Sequence, residues 1–526
     1  MTMTPPHRSS VLPASPTPRA PAPPPPPAPA PPAPSPGSAP SPADSGPLPR
    51  RGRLATFVRG RWLRTIPGRI GIHVVLCLAA IIVLLAVLTV AIGNARDSVQ
   101  TIGHDAGPQV VATSTLYFAL SDMDAQISNI LLIGREHRLG IGYDESLRVY
   151  ERRRAEADAA AVMAAQLAGR DPALRKTVQE VLDGLGKYER LVGQAMKLDE
   201  QANHAPGALP PDVVTAYRQA TDLMKLQLLP KAYNITLDTG ANVRQSYETK
   251  RSAVLAGRTW VAVTGVIVLL LLLATQLYLA RTFRRVLNPA LVLATLGALA
   301  LTAVGATMLT AQAGHIRKAK EDGFDSILQL SRARAISHSA FADESRYLLD
   351  PGRADTYEQT YLDKSLSVIY PDIGDKPVNL ENYYAGLEQK LGTYQSGQKN
   401  VPFLGFFGDE ARTAEKGREA DALKKTLDAY RAVQRNDARM RQLAAAGNRT
   451  GAIDVRTGRT SGAIRDFNAY DEALSALTAV HQDAFDDAIK DADDGLRGWT
   501  AIPAAGAAAI ALLILAGVRP RLAEFR

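Results

Sequence analysis

A single cysteine, Cys77, stands among 526 residues, and it falls inside a long apolar run. No disulfide can therefore brace the chain, and no cysteine-rich metal site can form. Eight histidines are present, and none is paired at a metal-ligand spacing. His73, His104, His137, His204, His315, His338 and His481 are scattered singly. The signatures HExxH, CxxC, GxxxxGK(S/T) and GxSxG are all missing, which weighs against a metalloprotease, a P-loop nucleotide site or a nucleophile-elbow hydrolase. No catalytic, cofactor-binding or metal residue is expected. Sustained period-two runs of β-branched residues are also missing, which excludes a substantial sheet.

Charge is missing from four stretches: Ile70–Ile92, Trp260–Ala280, Ala290–Thr310 and Trp499–Val518. Each has about the twenty residues a helix needs to cross the hydrocarbon layer. The arginines sit at the short flanks. Arg50, Arg51, Arg53, Arg59, Arg61, Arg64 and Arg69 precede the first run; Arg281, Arg284 and Arg285 separate the second from the third; Arg519, Arg521 and Arg526 follow the fourth. The positive-inside bias makes these flanks cytoplasmic, so both termini lie inside and segments 97–258 and 311–498 lie outside. The formal charge of +9 is then a topology signal and a lipid contact, and calls for no nucleic acid. The first run is too long, and too far from the start, for a cleaved signal.

Residues 1–49 are proline-rich and almost free of large apolar side chains, so a disordered cytoplasmic tail with polyproline II character is expected. A basic juxtamembrane stretch, 50–69, follows. Both outside segments read as helices. In "STLYFALSDMDAQISNILLIG" apolar residues recur every three to four positions. "DESLRVYERRRAEADAAAVMAAQLAG" predicts a second helix. Asp171-Pro172 predicts a helix start, and a long helix from Asp212, kinked at Pro230, feeds the second span. The second segment predicts helices over 311–349, 354–370, 380–398, 408–446 and 463–498, with "GNRTGAIDVRTGRTSG" a loop. The expected fold is an all-α membrane protein with four spans and two tandem extracytoplasmic antiparallel bundles.

Polar residues on these helices read as solvated faces: Asp122 and Asp124, "SHSAFADES" (337–345) and "DDAIKDADDG" (486–495). The segments show no convergent polar site, which favours a folded protein over a small molecule as the outside partner. "NVPFLGFFGDEAR" places Phe403, Leu404, Phe406 and Phe407 in one loop. It either folds onto the bundle core or, if the helix over 311–349 rises about 60 Å and the next two descend as far, returns to the headgroup layer or a partner. On the cytoplasmic side only Arg281, Arg284, Arg285, Arg519 and Arg521 offer a contact to an effector, unless they anchor to lipid.

Bundles strung between spans resemble the four-helix sensor domains of chemoreceptors. Four spans, two helical ectodomains, the turn "RRVLNPAL", the helix "SRARAISHSAFADESRYLLD" and the end "VRPRLAEFR" together resemble the GlnX family of actinobacterial membrane proteins, from about residue 50 onward. That resemblance implies a non-enzymatic signalling adaptor between an extracytoplasmic, glutamate- or aspartate-sensing binding lipoprotein and the soluble serine/threonine kinase G. A cell-envelope scaffold and a transporter accessory subunit remain the alternatives, and a homodimer is compatible with all three. Leu, Val, Ala and Ile fill the spans, with Gln276 the main exception. The small residues of "LATLGALALTAVGA" suit helix packing better than a pore.

Overall fold

The computed structural model describes residues 66–167, 171–283, 288–398, 400–414, 417–458 and 461–523. The expected proline-rich tail lies outside them, as do Arg284 and Arg285 of the turn. Three long helical rods begin at membrane spans. Helix α1 (Ile66–Val99) passes through a π-helical segment, Gln100–Ala106, into α2 (Gly107–Ile133). Helices α3 (Tyr143–Leu167), α4 (Pro172–Ala202) and α5 (Pro211–Leu223) follow, and α5 continues through a second π segment, Met224–Leu228, into α6 (Leu229–Phe283). The third rod is α7 (Pro289–Lys318), a π segment Ala319–Phe324, and α8 (Asp325–Leu349). Next come α9 (Ala354–Val368), α10 (Leu380–Thr393), α11 (Phe406–Thr413), α12 (Arg418–Ala445), α13 (Arg449–Thr457), α14 (Ala463–Leu496) and α15 (Ile502–Ala523). The described residues hold one two-residue ladder, in which β1 (Tyr370–Pro371) pairs antiparallel with β2 (Phe403–Leu404).

Four helices are long and apolar enough to cross a membrane. They pack in a ring, α1 on α6, α6 on α7, α7 on α15 and α15 on α1. Leu84, Leu88, Leu272 and Ile514 point into the ring, while Val75, Ile82, Leu270 and Leu512 point out. An uncharged, apolar outer face is what lipid tails require. Small residues let the helices approach: a Cβ on Gly265 would lie 2.2 Å from Thr302, and one on Gly305 would lie 3.1 Å from Leu88. Gln276, the exception in composition, donates to Thr295 Oγ1 at 2.7 Å and to the Leu291 carbonyl at 3.1 Å. It bonds span two to span three.

Local signals explain most helix limits. Asp171 caps α4 by accepting from the amides of Ala173 and Leu174, and Asn288 caps α7 by accepting from Ala290. Pro230 has no amide to give the Leu226 carbonyl one turn earlier. The helix absorbs that defect in the π segment at 224–228 without breaking. Two expectations need correction. The glycine- and threonine-rich stretch after Gly447 contains a real helix, α13, capped by Asn448 accepting from Gly451. Burial of Ala452, Ile453 and Arg456 holds it there despite poor intrinsic propensity. The expected helix 408–446 is interrupted between α11 and α12, where Gly417 adopts φ 111°.

The two long segments do not behave as separate bundles. Each contributes most of one apolar core, but Ala335, Leu348, Leu349, Met440, Ala452 and Ile453 of the second segment complete the core of the first. Helices α2 and α8 lie side by side, and the described residues form one unit. The duplicated plan survives in the stalks. A π segment follows span one at 100–106 and span three at 319–324, and both pack on α14. Gly103 faces Ile489, and Gly107 and Gly323 face Phe485. The halves differ at their ends: α6 runs unbroken into span two, whereas the chain turns at 497–501 before span four, with Gly498 at φ 80°.

Candidate functional site

Helices α2 and α8 are the two innermost rods of the unit, covered on all sides by α3, α5, α6, α9, α13 and α14. From residue 112 to the end of α2, and along all of α8, no residue is exposed. Asp122, Asp124, His338, Asp343, Glu344 and Arg346, which periodicity places on solvated faces, are all buried. Burying so many charges is costly unless each is paired. Most are, largely across the seam between the two segments; Glu344 lies 3.3 Å from Arg456, but neither of its oxygens has a hydrogen-bond partner.

Arg346, with no exposed surface, donates to Asp124 on α2 and to Asp343 on its own helix, and its Nε lies 3.2 Å from Tyr217 Oη. Asp124 also accepts from Tyr188 at 3.1 Å and from Thr221 at 3.3 Å. Asp343 takes Lys225 at 3.1 Å and the Lys364 ammonium. Burial opposes ionisation of Asp343, but Lys364, Arg346 and Lys225 outweigh it and hold its carboxyl well below the usual range. Deeper in, Arg456 donates to Asn129 Oδ1 at 3.0 Å and lies 3.7 Å over the Phe341 ring. Its neighbour Glu344 is pushed up to about 8 by burial and then by Asp437, against the pull of Arg456 and Arg441.

At one side of the seam the polar residues open into a cleft of about 220 Å³. His338 is its pivot. Nδ1 lies 3.2 Å from Asp122 on α2, and Nε2 lies 2.8 Å from Asp471 on α14. A neutral imidazole can donate through one nitrogen only, so satisfying both carboxylates requires the imidazolium. Burial alone would lower the pKa of His338, but Asp122 and Asp471 raise it to about 8. Asp122 also accepts from Arg153 at 2.7 Å and from Gln126 Nε2 at 2.8 Å, and Arg334 grips Asp471 through two bonds of 2.6 Å. Both guanidinium groups lie over the Phe118 ring. Arg152, Glu145 and Gln126 also line the cleft, and Gln126 Oε1 is buried with no hydrogen-bond partner. The arrangement presents both signs of charge to a small polar molecule. It is a convergent polar site of the kind the sequence does not show, because its residues come from α2, α3, α8 and α14.

Titration of this pivot gives a measurable outcome. The folded pKa of His338 lies above its ordinary value of 6.5, so its contribution is fully present below about pH 6.5 and is lost as pH rises through about 8. Its size is at most about 2 kcal/mol. Asp122 and Asp471 report the same ion pairs from the other side. Their pKa values are depressed because His338 and the arginines outweigh burial, so their contribution is lost only in acid below the ordinary carboxylate range. Glu344, raised to about 8, adds a fall in the same neutral window. The melting temperature of the detergent-solubilised protein should therefore drop between pH 6.5 and 8.5. His338→Gln should flatten that drop in part, leaving the slope that belongs to Glu344 and to His481, whose pKa Glu410 raises against burial.

The loop candidates divide. Phe403 and Phe407 are fully buried, Phe403 edge-on to Tyr394 and Phe407 edge-on to Tyr430 and Tyr470. Phe406 is half-buried, and Leu404 is 46% exposed. The turn depends on Gly405 at φ 86°, where a Cβ would meet the Ser367 carbonyl at 2.8 Å. These phenylalanines close the second core and offer their rings to nothing outside it. Arg281 and Arg519 are exposed beyond the ends of the spans, and of Arg521 only the backbone is described. The acidic run 486–495 is largely a solvated face, as expected: Asp486, Asp487, Asp491 and Asp494 are exposed.

No curated protein and no solved structure matches the chain. Residues 98–248, which begin at the foot of the first stalk and end short of span two, match the family described as the actinobacterial sensor domain. The segment that supplies Asp122, Gln126 and Arg153 to the cleft is thus similar to sensor domains, and with four helices of membrane-spanning length the chain points to a sensing or signalling role at a membrane.

Proposed function

We propose that this protein is a non-enzymatic, multi-pass membrane signalling adaptor, with both termini cytoplasmic, that passes an extracytoplasmic signal to a cytosolic effector. One observation carries the reading. Three of the four spans continue as uninterrupted helical rods into the charged seam, so a shift of the seam moves the spans as levers. The similarity of 98–248 to sensor domains supports the same direction. The partners suggested by family resemblance are an amino-acid-binding lipoprotein outside and a serine/threonine kinase inside. The arginine flanks serve as the inner contact or lipid anchor. A small polar ligand entering the cleft directly is the second reading of the input, favoured by the carboxylates and guanidinium groups that line it.

The test uses intact cells. Phosphorylation of cytosolic proteins on Ser and Thr is followed after external glutamate or aspartate is added. Deleting the gene should abolish the response. Inserting three glycines after Arg258, where α6 enters span two, should leave the protein inserted but silent. A scaffold or transporter accessory would tolerate that insertion. A response unaffected by deletion would reject the proposal.

A further inference from the structure

We infer that Glu410, Glu419 and His481 form a divalent-cation site of the zinc class, clamping α11, α12 and α14 against the stalk of span three. The three residues come from three elements, and one ligand atom from each lies within 4.8 Å of the other two. His481 Nε2 is 2.5 Å from Glu410 Oε1 and 3.9 Å from Glu419 Oε1. Those separations bracket the ~3.3 Å between ligand atoms that bonds of about 2.0–2.1 Å impose around a tetrahedral ion. Glu410 and His481 are almost wholly buried.

Two observations beyond the clustering point to a cation. Glu410 Oε2 is shut away from solvent and has no hydrogen-bond partner, so the carboxylate keeps an unused acceptor beside the imidazole. His481 Nδ1 lies 2.7 Å from the Asp322 backbone carbonyl. A carbonyl only accepts, so Nδ1 carries the proton. Without an ion Nε2 also donates, to Glu410 Oε1 at 2.5 Å, so the ring is an imidazolium; a bound dication takes the place of that proton. A histidine that donates one nitrogen to a backbone carbonyl and turns the other toward acidic groups has the second-shell arrangement of a metal ligand. The nitrogen ligand and the short ligand count favour zinc or cobalt over calcium or magnesium, which take six or more oxygens.

The place gives the site a purpose. Asp322 belongs to the π segment 319–324, which joins span three to α8, and α14 leads toward span four. A cation here pins α11 and α12 to α14 beside the π segment of the stalk. The inference does not depend on the signalling proposal.

The experiment uses the full chain, purified in detergent without a histidine tag and stripped with chelator. Zn2+ binding is measured by calorimetry, and Co2+ binding by its visible ligand-field absorption. Wild-type protein should bind one ion per chain, with a tetrahedral or five-coordinate cobalt spectrum and a raised melting temperature. Glu410→Gln should weaken binding by at least about 10-fold. Because that variant alters a buried residue, Glu419→Gln at the half-buried position is measured beside it and should weaken binding similarly. Absence of one-to-one binding, or equal affinity in wild type and Glu419→Gln, would overturn the assignment.

Discussion

Arg346→Met should destabilise the protein by about 3–5 kcal/mol, the cost of leaving buried carboxylates without their cation. Arg346 has no solvent exposure and joins Asp124 of the first segment to Asp343 of the second. Methionine fills similar space but answers neither charge. Asp343 keeps Lys225 and Lys364. Asp124 keeps only the hydroxyls of Tyr188 and Thr221, so most of the loss falls on α2. The loss should show as a lower denaturation midpoint of the full chain in mild detergent. Asp124→Asn combined with Arg346→Met should recover part of it, because the buried charge left behind is then removed. A loss below about 1 kcal/mol would place this pair among surface-like ion pairs and would mean the seam is held elsewhere. Proteolysis should also change, since the two segments share a core and loosen together.

Gly323→Val should be the second most damaging change. A Cβ at Gly323 would lie 2.6 Å from Phe485 Cβ, 3.0 Å from its Cα and 3.2 Å from its amide nitrogen. Backbone atoms are involved, so no rotamer relieves the clash, and α14 must move away from the stalk. Overpacking of this kind costs about 1–3 kcal/mol, sometimes more. It should also separate the stalk from the helix that leads to span four, and so silence any signal carried between them. Gly314→Ala is the control: Gly314 sits in the same rod with nothing near its added Cβ. There alanine should stabilise the helix by about 0.5–1 kcal/mol. If both substitutions lower the melting temperature equally, the close approach at Phe485 is not what limits the stalk.

The four spans, the predominance of helix, the cap at Asp171 and the solvated run at 486–495 could all be read along the chain. These are local properties. A twenty-residue uncharged run, an N-cap followed by proline, and a charged stripe facing water leave their period or composition in a short window. The scarcity of strand was equally plain, because no window held a period of two. What failed was every judgement that required knowing a helix's neighbours. "SHSAFADES" and "LSDMDAQ" have the polarity of wet faces, and both stretches turned out to be buried throughout. The residues of the cleft are separated by up to several hundred positions, and Glu410, Glu419 and His481 obey no spacing that a motif could capture.

The chain alone therefore determined that this is an all-helical protein with four segments able to cross a membrane, because hydrophobic length and helical period are set residue by residue. Only the tertiary structure decided that the two long segments share one charged seam, that Phe403 and Phe407 belong to a core, and that single histidines at 338 and 481 each meet two carboxylates. A buried charge is tolerable only when its partner arrives from elsewhere in the fold. The sign and place of that partner are a property of packing, and no reading of one helix at a time can contain it.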